Sequence, residues 1–166
     1  MILGMTTSTF TLLHVIISLA GIGSGFVVLY GLLNGKQLDG WTAIFLTTTV
    51  ATSVTGFMFP IDHLLPSHKV GLISLVVLAI AIAARYTFRL AGSWGRTYVV
   101  CAGLALYLNC FVAVVQAFLK IPALKALAPT QTEPPFLVAQ LIVLIIFGWL
   151  TIRAAKRFHM EPARAT

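Results

Sequence analysis

Phe136-Leu137-Val138-Ala139-Gln140-Leu141-Ile142-Val143-Leu144-Ile145-Ile146-Phe147-Gly148-Trp149-Leu150-Thr151-Ile152-Arg153-Ala154-Ala155 contains one charge and one amide. An α-helix rises about 1.5 Å per residue, so this run crosses a hydrocarbon layer of about 30 Å, and it lacks the alternation of a barrel strand. Four comparable stretches precede it, at residues 8–33, 41–60, 69–90 and 97–119. Lipid offers backbone N–H and C=O groups no partners, which makes helices the spanning element. The chain is 59% hydrophobic and 9% charged, with a mean hydropathy of +0.99, far from the roughly one-quarter charged residues of a soluble domain. The expected fold is all-α, a single transmembrane domain over residues 1–166 with five spanning helices. Any chemistry must lie inside the bundle or in its loops.

The connections at 34–40, 61–68 and 91–96 are short and force antiparallel neighbours. The connection at 120–135 is long, and Pro122, Pro129, Pro134 and Pro135 disfavour a regular helix throughout it. Lys36, Arg85, Arg89, Arg96, Arg153, Lys156, Arg157 and Arg164 fall at one side of the spans, and Lys69, Lys120 and Lys125 at the other. The richer side is expected to be cytoplasmic, which with five spans puts the N-terminus outside and the C-terminus inside. The formal charge of +7 is then explained by topology and anionic head groups, and no nucleic-acid partner is needed.

Residues 1–9 carry no Lys or Arg, and the apolar run after them exceeds the h-region of a signal peptide, so it is expected to stay as the first span. Neither end shows a lipidation motif. Cys101 and Cys110 are nine residues apart in one helix, about 180° around it, and cannot bridge each other. They read as small apolar packing residues.

His14, Ser18, Gly21 and Gly25 share one face of the first helix. Gly21 with Gly25, and Gly31 with Gly35, have the G-x-x-x-G spacing that admits a second helix backbone, although a flat cofactor ring also needs such a surface. In the fourth helix Tyr98, Ala102, Ala105, Asn109, Ala113, Gln116 and Lys120 share a face expected to turn toward protein. Asn109 reads as interhelical hydrogen-bond glue or as a substrate contact. The hydroxyls of Thr47, Thr48, Thr49, Thr52, Ser53 and Thr55 can bond back to carbonyls one turn earlier.

Depth singles out a layer: His14, Gln116 and Gln140 all lie roughly 6 to 9 Å below the outer boundary. Above it, the loop around Asp62, His63 and His68 supplies a carboxylate and two imidazoles. Four readings stay open. A b-type haem needs two axial imidazoles, His14 with His68 or with His63. A metal ion could take Asp62, His63 and His68 with His14, on a spacing that is weak evidence alone. A quinone needs a hydrogen-bond donor or two at head-group depth with an apolar channel below, a description that His14, Gln116 and Gln140 meet. In the fourth reading the polar residues are structural, with Asp62 and Glu133 neutralising Lys69, Lys120 and Lys125. His159, in the basic tail, reads as solvated.

No catalytic signature is present: no H-E-x-x-H, P-loop, C-x-x-C-H or serine elbow. None of Asp39, Asp62, Glu133 and Glu161 is placed at mid-membrane, and five spans do not divide into equal repeats, so a permease would have to be an oligomer. The alternative to a ligand-binding protein is an accessory subunit that docks on another membrane protein.

The segment 114–136, together with Leu38-Asp39-Gly40-Trp41 and Thr52-Ser53-Val54-Thr55-Gly56-Phe57, resembles a family of small bacterial inner-membrane proteins without an assigned activity. The similarity covers most of the chain and implies the same membrane, but no functional residue. It marks the proline loop as the distinctive part, expected to be a lid over the bundle, a segment offered to a partner protein or a connector on the membrane surface.

Overall fold

The computed structural model describes residue 2, residues 4–59 and residues 66–159. Among these the regular secondary structure is all helical, apart from an isolated bridge between Ile2 and Met5. The helices are α1 (Thr7–Leu33), α2 (Asp39–Gly56), α3 (Pro66–Ile82), α4 (Ser93–Lys120), α5 (Pro122–Leu127) and α6 (Pro134–His159), and a π-helical turn, Ala83–Thr87, prolongs α3. Thr6 caps α1 by accepting from Thr9 N at 3.2 Å. Four helical stretches, Thr7–Leu33, His68–Thr87, Ser93–Lys120 and Pro134–Phe158, are long and apolar enough to cross a membrane. Their outward sides carry large apolar residues: Leu141, Ile145, Trp149 and Ile152 of α6 are each more than half exposed. A water-soluble fold does not leave so continuous an apolar surface open.

α4 is the central element and packs against α1, α3 and α6, while α2 lies between α1 and α3. The main core joins Val28 and Leu32 of α1, Phe45 of α2, Leu78 of α3, Tyr98, Ala102 and Leu106 of α4, and Phe147 and Ala154 of α6. It fills the half of the bundle nearer the basic loops. A second, smaller cluster of Phe118, Ala128 and Phe136 lies at the opposite end, where the proline loop folds between α4 and α6.

No continuous helix fills the proline loop: Pro122 opens the short α5, and after a break Pro134 opens α6. Proline is tolerated in a first turn, where its missing N–H has no helical partner to lose. The glycine pairs also differ in role. A Cβ on Gly25 would come within 2.6 Å of Leu106 and 2.9 Å of Phe45, so the Gly21/Gly25 face does seat two helices. Gly31 instead receives Leu38, and Gly35 sits at φ +68° in the turn beyond α1, a conformation that favours glycine.

Candidate functional site

His14 is half-buried in the seam between α1 and α2, its Nδ1 2.8 Å from the Thr55 hydroxyl. That hydroxyl lies 2.7 Å from the Ala51 carbonyl and 3.2 Å from that of Thr52, so its one proton points back along α2. Its oxygen must therefore accept from His14, which assigns the proton of neutral His14 to Nδ1 and leaves a lone pair on Nε2. Among the described residues Nε2 has no hydrogen-bond partner. An aromatic wall flanks the ring: Phe59 packs edge-on at 5.3 Å, and Phe10, almost fully buried, packs edge-on to Phe59 at 5.1 Å.

His68 meets the same end of α2 from another side. It is buried in the first turn of α3, 5.7 Å from the Phe57 ring. Thr55 and Phe57 are two residues apart in nearly helical backbone, about 200° around the axis. The two imidazoles thus lie across the last turn of α2 from each other, which does not form the facing pair that a bis-imidazole haem needs. His63 and Asp62 lie outside the described residues, and no group of three metal-binding side chains occurs among the described residues.

Depth relates His14 to Gln116. A Cβ on Gly21 would lie 3.3 Å from the Thr48 and Thr49 hydroxyls and 3.6 Å from the Asn109 amide, so these positions touch. His14 is seven residues before Gly21 and Gln116 seven after Asn109. Because the two helices are antiparallel, both steps lead about 10 Å toward the proline-loop end on nearly the same helix faces. Lys120, one turn further, is close enough for its charge to act on His14. Gln116 itself is exposed, with Ala113 and Lys120, so the polar face of α4 is enclosed only from Tyr98 to about Asn109. Beyond that point the expectation of a protein-facing stripe does not hold, since the main core ends there. Gln140 stands apart: its amide donates to the Phe111 carbonyl at 3.2 Å in the α4/α6 seam, and its buried Oε1 has no partner among the described residues. The three residues of the expected layer do not form one cluster.

Sequence reasoning missed a second polar group at the basic end. The guanidinium of Arg85 turns inward, with 8% of its side chain exposed, and pairs with Asp39 at the start of α2. It also lies over the rings of Tyr98 at 5.2 Å and Tyr86 at 5.8 Å. Tyr98 in turn reaches Thr42 at 3.4 Å. The π-turn explains this inward path, because its extra residue advances the side-chain phase by about 100°. Further along α2, Asn109 donates to Thr49 at 3.2 Å and Ser53 to Ser74 at 3.3 Å, which makes the glue reading of Asn109 the structural one.

The proline loop is docked. Gln131 donates to the Val115 carbonyl at 3.0 Å, and Phe118 packs edge-on to Phe136 at 5.4 Å. It lies over α4 and α6, not over the His14 seam. Its hinge is Glu133, whose carboxylate accepts from Thr130 N at 3.1 Å, the Thr130 hydroxyl at 2.9 Å and Thr132 N at 3.1 Å. Desolvation pushes the Glu133 pKa up, but hydrogen bonds from Thr130, its own N–H and Thr132 outweigh it and hold the pKa below the ordinary value. A lowered carboxylate pKa stabilises the turn fully above the unfolded value of about 4.3, and this is lost as pH falls through the folded value. Hydrogen-exchange protection of the Thr130 and Thr132 amides, corrected for intrinsic rates, is expected to be constant from pH 7 to 5 and to fall below it. In Glu133→Gln it should be lower and independent of pH; an unchanged profile contradicts the assignment.

The helical fold and its exposed apolar girdle define a multi-pass membrane protein. No family model, curated protein or solved structure matches the chain.

Proposed function

We propose that the chain is a five-span protein of a bacterial inner membrane, N-terminus outside and C-terminus cytoplasmic, that binds a quinol-type ligand at His14 near the outer face. The fifth span is α2. Its 18 residues reach about 27 Å, and it buries hydroxyls beside Phe45 and Leu46 while exposing large apolar side chains. Thr42, Thr49 and Ser53 are buried, whereas Trp41, Ile44 and Val54 are exposed. Back-bonded hydroxyls at Thr48, Ser53 and Thr55 remove most of the penalty of placing them in lipid.

The observation that carries the ligand reading is the hydrogen bond from His14 Nδ1 to Thr55. It fixes the ring and presents Nε2 as an acceptor at a depth that a quinone head group occupies, beside an aromatic wall. An acceptor suits the O–H of a hydroquinone rather than the carbonyl of a quinone, and a base there can take the proton released on oxidation. Exposed Gln116 offers an amide at the same level. A lone-pair Nε2 with a bonded Nδ1–H is also the form that ligates iron, and His63 is then the second imidazole to test.

The test is solvent extraction and absorbance of protein purified from its native membrane, followed by quinol titration. A bound quinone and a loss of affinity of roughly tenfold or more in His14→Ala, with the fold retained, are expected. A Soret band selects haem. An empty extract with equal quinol affinity in both proteins overturns the reading and favours an accessory subunit or an oligomeric permease.

A further inference from the structure

A trough of about 510 Å³ runs along the outward side of α4 and α6. Its apolar part extends from Val100 to Tyr107 on α4 and from Ile152 back to Leu144 on α6, and its end at the basic loops is flanked by Arg96 and Lys156. Both cations are exposed, and neither makes an ion pair among the described residues. The acidic side chains within those residues are engaged elsewhere, Asp39 with Arg85 and Glu133 with the Thr130 turn. From Arg96 to Tyr107 the helix rises about 16 Å, and from Lys156 to Leu144 about 18 Å, close to half of a hydrocarbon core of about 30 Å. The trough is thus one leaflet deep. Gly148 gives it a flat floor, since a Cβ there would meet nothing within 4 Å.

We propose that this trough is a binding site for an anionic phospholipid, with the phosphate between Arg96 and Lys156 and one acyl chain lying along Gly148 toward Tyr107 and Leu144. Depth and charge select this occupant together. An apolar segment of a partner helix would match the walls but leave two cations facing it, whereas a lipid places its only charge at the level of both. The guanidinium can grip two phosphate oxygens, and the ammonium adds a mobile point charge. Basic pockets between helices on one membrane side are known to recognise anionic head groups in this way.

The experiment incubates the purified protein with vesicles of equal phosphatidylglycerol and phosphatidylcholine and counts the lipids retained on the protein by native mass spectrometry. Enrichment of phosphatidylglycerol by roughly tenfold is expected, because two cations favour its net negative head group over phosphatidylcholine, whose choline offsets its phosphate. In Arg96→Gln/Lys156→Gln the enrichment should fall to about parity. Gly148→Leu fills the floor and should remove the retained lipid although both cations remain. Arg89→Gln/Arg157→Gln, which changes cations outside the trough lining, should keep the enrichment. Parity in the unmodified protein, full enrichment in either trough variant, or equal loss in the Arg89/Arg157 control each overturn the proposal.

Discussion

Asp39→Asn is expected to destabilise the bundle by about 2–3 kcal/mol, whereas Arg85→Met costs less than about 1.5 kcal/mol, although Arg85 is the buried partner. Losing Asp39 leaves a guanidinium inside the protein with its charge uncompensated, and only the faces of Tyr98 and Tyr86 remain to it. The loss stays below that of a fully buried pair because the Asp39 side chain is 83% exposed, so water reaches the carboxylate side. Replacing Arg85 by methionine fills a similar volume and leaves Asp39 already solvated. The double variant should recover most of the loss in Asp39→Asn. Thermal unfolding in one detergent checks the order; Arg85→Met as harmful as Asp39→Asn contradicts this account of the ion pair.

Gly103→Ala should wedge α4 from α6. The added Cβ would lie 2.8 Å from Thr151 Cγ2 and 3.0 Å from its Cβ, and the Thr151 hydroxyl would be closer still. Thr151 is β-branched and held in a helix, so it cannot swing away as a long side chain can. Overpacking of this kind costs about 1–3 kcal/mol. Gly148→Ala, one residue type and one substitution alike on the facing helix, meets open space and should be neutral or stabilising by up to about 1 kcal/mol. Thr151→Ala should restore part of the loss in Gly103→Ala, because it removes the hydroxyl and Cγ2 but keeps Cβ. Equal melting of the two glycine variants would show that the seam is looser than the atoms imply.

Both effects arise where the sequence was hardest to read. Apolar length is a one-dimensional quantity, so the four long apolar helices could be read directly. The Gly21/Gly25 face also follows from helical spacing alone. The inward turn of Arg85 does not, because a single π-turn changes the phase of every later side chain and has no compositional sign. Nor does spacing say which helices touch: Gln140 bonds to Phe111 in the α4/α6 seam, away from His14. Gln116 keeps the right face and level but lies where the bundle no longer encloses it. α2 is the instructive intermediate. It is absent from the helices that pass as spans on length and apolar composition, because its hydroxyls lower its average, and only the packed structure places Thr42, Thr49 and Ser53 on the inside.

The position of α2 decides the topology, and with it whether His14 and Thr55 meet near the outer face. With α2 across the bilayer the chain has five spans and its ends lie on opposite sides; with α2 on the surface it has four and they lie on the same side. The direct measurement is labelling by an impermeant maleimide in intact cells, using single cysteines at Thr7 and Lys156 in a background with Cys101 and Cys110 replaced by Ala. Labelling at position 7 from outside, with position 156 reached only after permeabilisation, is the predicted result. Labelling of both positions from the same side would contradict it.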